Sequence, residues 1–437
     1  MQYGFIPQNI ISKKMLSKYN VIKTIDKTTW VYNTLTSAFI AISTDEWHQI
    51  IENADSIHSD NWLYQAGICT ASHEEQLFKY KYISRSFQFR NDTLFLYIAP
   101  TMQCNFNCFY CFEKGNKNEG VMSEDIENNL ITFLKLSGNK ELSIVWFGGE
   151  PLLGFGRIVS ICKKLRKSNI RYTSSIITNG SLLSEKVISR LELLNLDFIQ
   201  ISMDGIAKDQ DRRRCFSNGE PTFDIIIRNV RNLILQTDIP ISVQVTVDKS
   251  NANAYDDLKN YFASEFPCQL ESRRLQIGKN YVRNRAGHDC HGTCYTNADM
   301  YEDEVRMLNS GHESFVNLPG LLKPCSYRCI SCLAIDSAGR ISKCIEHMGS
   351  ELNYIGSLKT GKMSLSAMAR TAFEDDPFDD EECINCNVFP ICGGGCPIGR
   401  IKVKQGQLES CCSRHKDTLK DLLPILYKYK FRRNEKL

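Results

Sequence analysis

Between residues 92 and 277, short apolar segments alternate with amphipathic ones, and this alternation restricts the chain to few folds. Strand-like runs lie at Leu94–Ala99, Leu142–Phe147, Tyr172–Thr178, Phe198–Met203, Ile241–Val247 and Arg274–Ile277. Helical patterns fall between them at Ser123–Leu136, Gly156–Lys167, Ser184–Leu194, Phe223–Gln236 and Ala254–Phe262. Strands separated by helices of this length predict a parallel sheet with helices outside it. Right-handed crossovers wind such a sheet into an open or partly closed barrel. Chemistry in these folds sits at the C-terminal ends of the strands.

Those strand ends carry polar signatures. After the first comes Cys104-Asn-Phe-Asn-Cys108-Phe-Tyr-Cys111, spaced C-x3-C-x2-C. Three thiolates suit a four-iron cluster and leave one iron with an open coordination position. After the second strand comes Phe147-Gly148-Gly149-Glu150-Pro151, where paired glycines let the backbone approach a ligand and Glu150 can pair with an ammonium group. Thr178-Asn179-Gly180 follows the third strand and Ser202-Met203-Asp204-Gly205 the fourth. Their hydroxyl and carboxylate groups suit a ribose or an amino-acid moiety. Each motif alone reads as an ordinary turn. Four in order, each at a strand end, point to one site.

The flanks differ. Residues 1–90 read as a small α+β module. Strands are predicted at Tyr19–Ile25, Thr29–Asn33 and Ala38–Ile42, and helices at Thr44–Ile51 and His73–Ile83. Residues 91–285 hold the barrel and 286–324 form a bridging segment with one short helix near Asn297–Leu308. Residues 325–437 are loop-rich and cysteine-dense up to Cys412, closing with a basic amphipathic helix at Asp417–Lys430. The chain holds 19 cysteines at a net charge of +3, and it shows neither a signal-peptide pattern nor a membrane-length apolar run. A cytoplasmic protein is therefore expected, and clustered cysteines in a reducing compartment indicate metal rather than disulfides. The isolated Cys69, Cys162, Cys215 and Cys268 read as buried small hydrophobes.

With these motifs in hand, the chain resembles the radical S-adenosylmethionine (SAM) enzymes. Cys104, Cys108 and Cys111 match the family's cluster motif, with the usual aromatic, Tyr110, before the last cysteine. Gly148-Gly149-Glu150-Pro151 matches its glycine-rich motif. The resemblance implies that the open iron is chelated by SAM, whose reductive cleavage gives a 5′-deoxyadenosyl radical. It also implies that Gly149 and Glu150 hold the methionine amine, and that Ser202 and Asp204 hold the ribose or amino-acid part. Thr178 and Asn179 are placed with them among the cofactor contacts. Arg214 matches a family arginine for the carboxylate, although Ile206 and Gln210 stand where Pro and His are usual.

The later cysteines resemble the SPASM domain, which holds two auxiliary four-iron clusters. The pattern is Cys329-x9-Gly339-x4-Cys344, then Cys383-x2-Cys386-x5-Cys392-x3-Cys396, then Cys411-Cys412. Carried over, Cys329, Cys344 and Cys396 ligate the first cluster, completed by Cys325 with Cys332, Cys290 and Cys294 as rivals. Cys383, Cys386 and Cys392 ligate the second, completed by Cys411 or Cys412. A pair of zinc ribbons is the alternative, because C-x2-C pairs bind zinc readily. Full ligation would leave the auxiliary clusters to electron transfer.

The expected architecture is thus a partial (β/α)6 TIM-like barrel between an α+β module and an iron–sulfur domain. The N-terminal module resembles, in its organisation, the peptide-recognition element of enzymes that mature ribosomally made peptides. There a leader peptide adds a strand to a sheet edge. The expectation is a maturase forming a thioether or carbon–carbon crosslink in a precursor peptide or protein. Its electron donor would be of flavodoxin or ferredoxin type, with neither nucleic acid nor membrane as partner. The rival is an anaerobic sulfatase-maturing enzyme making formylglycine. Such enzymes carry an aspartate directly after the cysteine matched by Cys344, where this chain has Ile345 and then Glu346, the carboxylate that would have to serve as base on that reading. A bare iron–sulfur electron carrier would have no use for the ligand motifs.

Overall fold

Six parallel strands follow the alternation in the computed structural model, which describes residues 15–57, 60–113, 120–138, 141–283, 292–310, 319–350 and 354–432. They are β1 Thr93–Ile98, β2 Glu141–Trp146, β3 Tyr172–Thr178, β4 Leu196–Met203, β5 Ile241–Val247 and β6 Leu275–Tyr281. Each pairs with its sequence neighbour, as right-handed βα repeats require. The helices between them are Glu124–Leu136, Phe155–Lys167, Phe223–Gln236 and Ala254–Glu265. The helix expected at Ser184–Leu194 is two pieces, Glu185–Ile188 and a 3-10 turn at Leu191–Leu194. Arg190 between them leaves helical geometry, and Asn195 ends the second piece in the left-handed region at φ 54°.

Alternation along the strands sorts their two faces. Ile199, Ile201 and Met203 of β4 and Val243, Val245 and Val247 of β5 are fully buried, on the face that packs against the helices. Each such side chain contributes roughly 1.5–3 kcal/mol of transfer free energy. The opposite face is half-buried and holds no charge along the middle of the sheet. Register puts Tyr97, Val145, Ser175 and Phe198 in one row and Ile177, Gln200, Ser242 and Gln276 in the next. Ser202, Gln244 and Gly278 form a third row. A Cβ on Gly278 would sit 2.4 Å from the Gln244 amide, so glycine makes the room for that side chain.

The sheet does not stop at β1. The stretch read as loop continues it with β7 Cys332–Ile335, parallel to β1, then β8 Arg340–Ser342, β9 Gly356–Ser357 and β10 Lys362–Met363, all antiparallel. Two to four residues per strand is too short for a periodic signal to register.

The chain divides into two compact units. One is Gln88–Thr296 with Ser326–Glu374, and contains this sheet. The other is assembled from residues 1–87, 297–325 and 375–437. In that second unit three antiparallel strands, Asn20–Ile25, Thr28–Asn33 and Phe39–Ser43, form a small sheet. Helix Thr44–Glu52 follows, with Ser43 and Glu46 in a capping box. The last helix, His415–Arg432, buries Leu419, Leu422, Leu423 and Leu426 with Val21, Tyr32 and Phe39. The two ends of the chain therefore share a core. No helix among the described residues is long and apolar enough to cross a membrane.

Candidate active site

The three-cysteine loop leaves the C-terminal end of β1. Cys108 is buried, while Cys104 and Cys111 are half-buried. The loop is clamped from one side by residues 215–217: the Asn107 amide donates to the Cys215 carbonyl at 3.0 Å and the Ser217 amide to the Asn105 carbonyl at 2.9 Å. Phe106 and Phe216 meet edge to face with ring centroids 5.2 Å apart.

The glycines after β2 bring the backbone close to the cysteine loop. Gly148 has φ +110°, and a Cβ there would lie 2.4 Å from the Thr101 carbonyl. On Gly149 it would lie 2.3 Å from that of Gln103. The backbone these glycines admit is the approach to the cysteine loop. Glu150 then donates its own amide to the Gln103 carbonyl at 2.9 Å.

The Glu150 side chain is fully buried and serves as an acceptor for its neighbours. Thr178 Oγ1 donates to Oε1 at 2.8 Å, the Leu152 amide to Oε1 at 3.1 Å and the Asn179 amide to Oε2 at 2.7 Å. Burial pushes this carboxyl above the usual range, and the three donors pull against that. Asn179 Nδ2 reaches Asn105 Oδ1 of the cysteine loop at 2.8 Å. Glu150, Thr178 and Asn179 thus form a latch from the ends of β2 and β3 to the loop.

A second latch comes from β4 and β5. Tyr110 donates its hydroxyl to Asp204 Oδ1 at 2.6 Å, and Arg214 Nη1 donates to the Tyr110 oxygen at 2.7 Å. Arg213, 1% exposed, donates through Nε to Asp204 Oδ2 at 2.7 Å and through Nη1 to both Asp248 oxygens at 3.0 Å. Its guanidinium also lies 5.0 Å over the Phe109 ring and 5.2 Å over that of Tyr110. Gln210 Oε1 accepts from the Asp204 amide at 2.9 Å. Asp248 is held below the usual carboxylate range: burial opposes ionisation, but Ser250 and Arg213 outweigh it.

Arg213, Asp248 and Asn105 escaped the sequence reading, and Gln210 entered it only as a departure from the family pattern. Asp248 had a signal, since it follows β5 as Asp204 follows β4. Arg213 was masked by its place in the run Arg212-Arg213-Arg214. Two donors in this cluster, Arg213 Nη2 and Arg214 Nε, are buried with no partner among the described residues. Ser202 is half-buried on β4, and its hydroxyl makes no hydrogen bond among them. Orphaned guanidinium N–H groups beside a three-thiol loop fit a ligand with a carboxylate, as SAM has.

The cysteines of the other unit gather separately. Cys383, Cys386, Cys392, Cys411 and Cys412 line one cavity of about 240 Å³. Tyr80, Phe378 and Phe389 pack as an aromatic cluster, with centroids 5.0–5.1 Å apart, and Phe389 also lines the cavity. Among the described residues no three His, Cys, Asp or Glu side chains converge to hold a single metal ion. Cys411 and Cys396 both pack against Gly399, where a Cβ would lie 3.0 and 3.3 Å from theirs.

Cys329, Cys332 and Cys344 fall in the barrel unit, Cys329 buried and the other two half-buried. Cys332 opens β7, opposite Phe95 of β1. The buried Lys343 ammonium donates to the Cys332 carbonyl at 2.6 Å and also to that of Cys329. Cys325 is exposed. Cys294 is disulfide-bonded, which withdraws it as a thiolate ligand, and Cys290 lies outside the described residues. Of the isolated cysteines, Cys69 and Cys162 are buried and Cys215 half-buried, but Cys268 is exposed. Its short helix, Pro267–Glu271, buries none of its residues.

The Radical SAM superfamily model matches residues 98–238, from the end of β1 to just beyond the helix that follows β4. The radical SAM cyclopropyl synthase TigE of Paramaledivibacter caminithermalis is 24% identical over 75% of this chain and 73% of its own length. An uncharacterised protein of Methanocaldococcus jannaschii is 30% identical over 38% of this chain, which spans 57% of that relative. Among solved structures, native anSMEcpe with bound AdoMet and Kp18Cys peptide superposes with a TM-score of 0.59 at 18% identity, covering 78% of this chain and 98% of its own. Streptococcus suis SuiB bound to precursor peptide SuiA superposes with a TM-score of 0.51 at 16% identity, covering 90% and 98%.

Proposed function

This chain is a radical S-adenosylmethionine superfamily enzyme related to peptide and sulfatase maturases, and we propose that it oxidatively crosslinks a ribosomally made precursor peptide. The observation that carries this reading is the double latch holding the Cys104–Cys111 loop over the strand ends, with two orphaned guanidinium donors beside it. Cys104, Cys108 and Cys111 would hold a four-iron cluster, and Arg214, Arg213 and Ser202 would receive SAM. Bound there, SAM supplies a 5′-deoxyadenosyl radical that takes hydrogen from substrate. The chain's share is to fix that loop and to line the space beyond it.

Three features support a peptide as substrate and a crosslink as product. The open face of β2–β6, which carries no charge along the middle of the sheet, suits a neutral peptide segment. The small N-terminal sheet has two outer strands to which a leader could add. Ile345, where the sulfatase-maturing enzymes carry an aspartate, packs with Tyr97, Phe147 and Met348 in an apolar cluster and offers no base.

The cavity set Cys383, Cys386, Cys392 and Cys412 would hold a second cluster that takes up one electron as the substrate radical is oxidised. Cys412 is preferred to Cys411 because Cys411 packs with Cys396 against Gly399. A third cluster, which the resemblance to the SPASM pattern implies, would draw on Cys329 and Cys344.

Anaerobically reconstituted protein should contain about twelve irons. About four irons with two zincs would defeat the auxiliary-cluster reading. Replacing Cys104, Cys108 and Cys111 with Ala should abolish 5′-deoxyadenosine formation, and continued turnover would refute the radical assignment. Tandem mass spectrometry of a candidate precursor should show loss of two hydrogens with two residues joined; an aldehyde on a single Cys or Ser would favour the sulfatase-maturing alternative, since formylglycine made from Ser also loses two hydrogens.

A further inference from the structure

The cysteine-lined cavity carries its own electrostatics. Its charged lining is Asp380, Glu382, Arg400, Lys404, Glu409 and Lys416. Arg400 lies on helix Pro397–Lys404 with its side chain 10% exposed. Nη1 donates to Cys383 Sγ at 3.4 Å and to the Gly394 carbonyl at 3.3 Å. Nη2 donates to Asp380 Oδ2 at 2.6 Å and Nε to the Asp375 carbonyl at 3.2 Å. Asp380 in turn caps the Glu381–Ile384 helix through the amides of Glu382 and Cys383. The guanidinium is therefore fixed on three sides with one fork turned to a sulfur. A second cation, Lys416 Nζ, sits 3.8 Å from Cys412 Sγ.

A charged donor on a ligand sulfur stabilises the state with the extra electron, because reduction adds negative charge to the sulfurs it faces. The effect is large where the donor is desolvated and small where water screens it. Arg400 is desolvated, whereas Lys416 is exposed. We propose that Arg400 sets the reduction potential of the cluster held by Cys383, Cys386, Cys392 and Cys412, keeping it high enough to accept the electron released by the substrate radical. This rests on the reading that the cavity takes a four-iron cluster. The cluster gains one electron and exchanges no ligand, and Arg400 is a positioning residue that touches neither substrate nor SAM.

The test is an EPR-monitored redox titration of full-length, anaerobically reconstituted protein. A background with Cys104, Cys108 and Cys111 replaced by Ala removes the first cluster's signal. In R400Q the midpoint of one auxiliary signal should move to more negative potential by at least a tenfold change in the oxidised-to-reduced ratio, about 59 mV for one electron. R400K should fall between wild type and R400Q, and K416Q should shift less than either. An R400Q protein with wild-type iron content and an unmoved midpoint overturns the proposal. If R400Q does not load iron, R400K, which keeps the charge, decides: an unmoved midpoint there overturns it equally. Parent protein in this background that holds no auxiliary iron refutes the cluster reading instead, and the two failures are distinguishable.

Discussion

Tyr110 donates its hydroxyl to Asp204 across 2.6 Å, tying the cysteine loop after β1 to the end of β4. Arg214 approaches the same phenol oxygen at 2.7 Å, so one hydroxyl both gives and accepts at the centre of the site. Tyr110→Phe removes both bonds and leaves a buried guanidinium arm without its acceptor. A hydrogen bond to a charged group contributes about 1.5–3 kcal/mol, and a loss of that size is expected in denaturant unfolding. Affinity for SAM should fall as well, because Arg214 is released. A variant as stable as wild type would show that the phenol is dispensable to the loop.

Gly149→Ala should be more severe for activity than for folding. The added methyl would stand 2.3 Å from the Gln103 carbonyl carbon–oxygen group, one residue before Cys104. The contact is relieved only if the cysteine loop or the glycine segment beside it shifts. A displacement of about 1 Å can cost on the order of a hundredfold in rate, and this is the expected fall in 5′-deoxyadenosine formation. The reduced-cluster EPR signal should broaden or diminish alongside it. Unchanged turnover would mean that the glycine pair is not set by the loop.

Glu150→Gln tests the first latch with little change in shape. One amide oxygen can still serve Thr178 and Leu152, but the NH2 group then faces the Asn179 amide, donor against donor. A buried donor left unsatisfied costs about 1–3 kcal/mol. Stability should drop by that amount, and the Asn179–Asn105 contact should loosen the cysteine loop. Equal stability of E150Q and wild type would remove Glu150 from the latch.

What was legible in the sequence was what repeats over short distances. β5, Ile241–Val247, alternates buried and half-buried residues along its whole length, and period two is visible without a structure. The motif residues were legible too, but their partners were not. Glu150 was read as pairing with a ligand's ammonium; the structure adds Thr178, Leu152 and Asn179 as donors to its oxygens, and nothing local announces them. The shared core of Val21, Tyr32 and Phe39 with Leu419 to Leu426 joins residues nearly 400 positions apart, beyond the reach of any window. The strands β7–β10 failed for the opposite reason, being too short to carry a pattern.

That shared core makes a prediction of its own. Leu422 is fully buried between the last helix and the N-terminal sheet. Leu422→Ala should cost about 2–5 kcal/mol by leaving a cavity. Because the cavity cysteines belong to the same unit, the iron they hold should be lost on mild heating before the iron of the Cys104–Cys111 loop. Simultaneous loss of all iron would argue that the two units melt together.

The last helix also gives the protein an acid limit. His415 opens that helix with Nδ1 buried and without a partner among the described residues. Burial, and then the neighbouring Arg414, push its imidazole down from 6.5 to about 4. The positive end of the helix dipole acts in the same direction. Between those two values the unfolded chain binds a proton that the folded chain refuses. Stability linked to His415 is therefore fully present above about pH 6.5, falls as the pH is lowered, and stops falling near pH 4. The total is at most about 3 kcal/mol. His415→Gln carries no titrating group there, so its unfolding midpoint should vary less between pH 6.5 and 4 than that of wild type. Parallel curves for the two proteins across that window would show that the imidazole stays solvated.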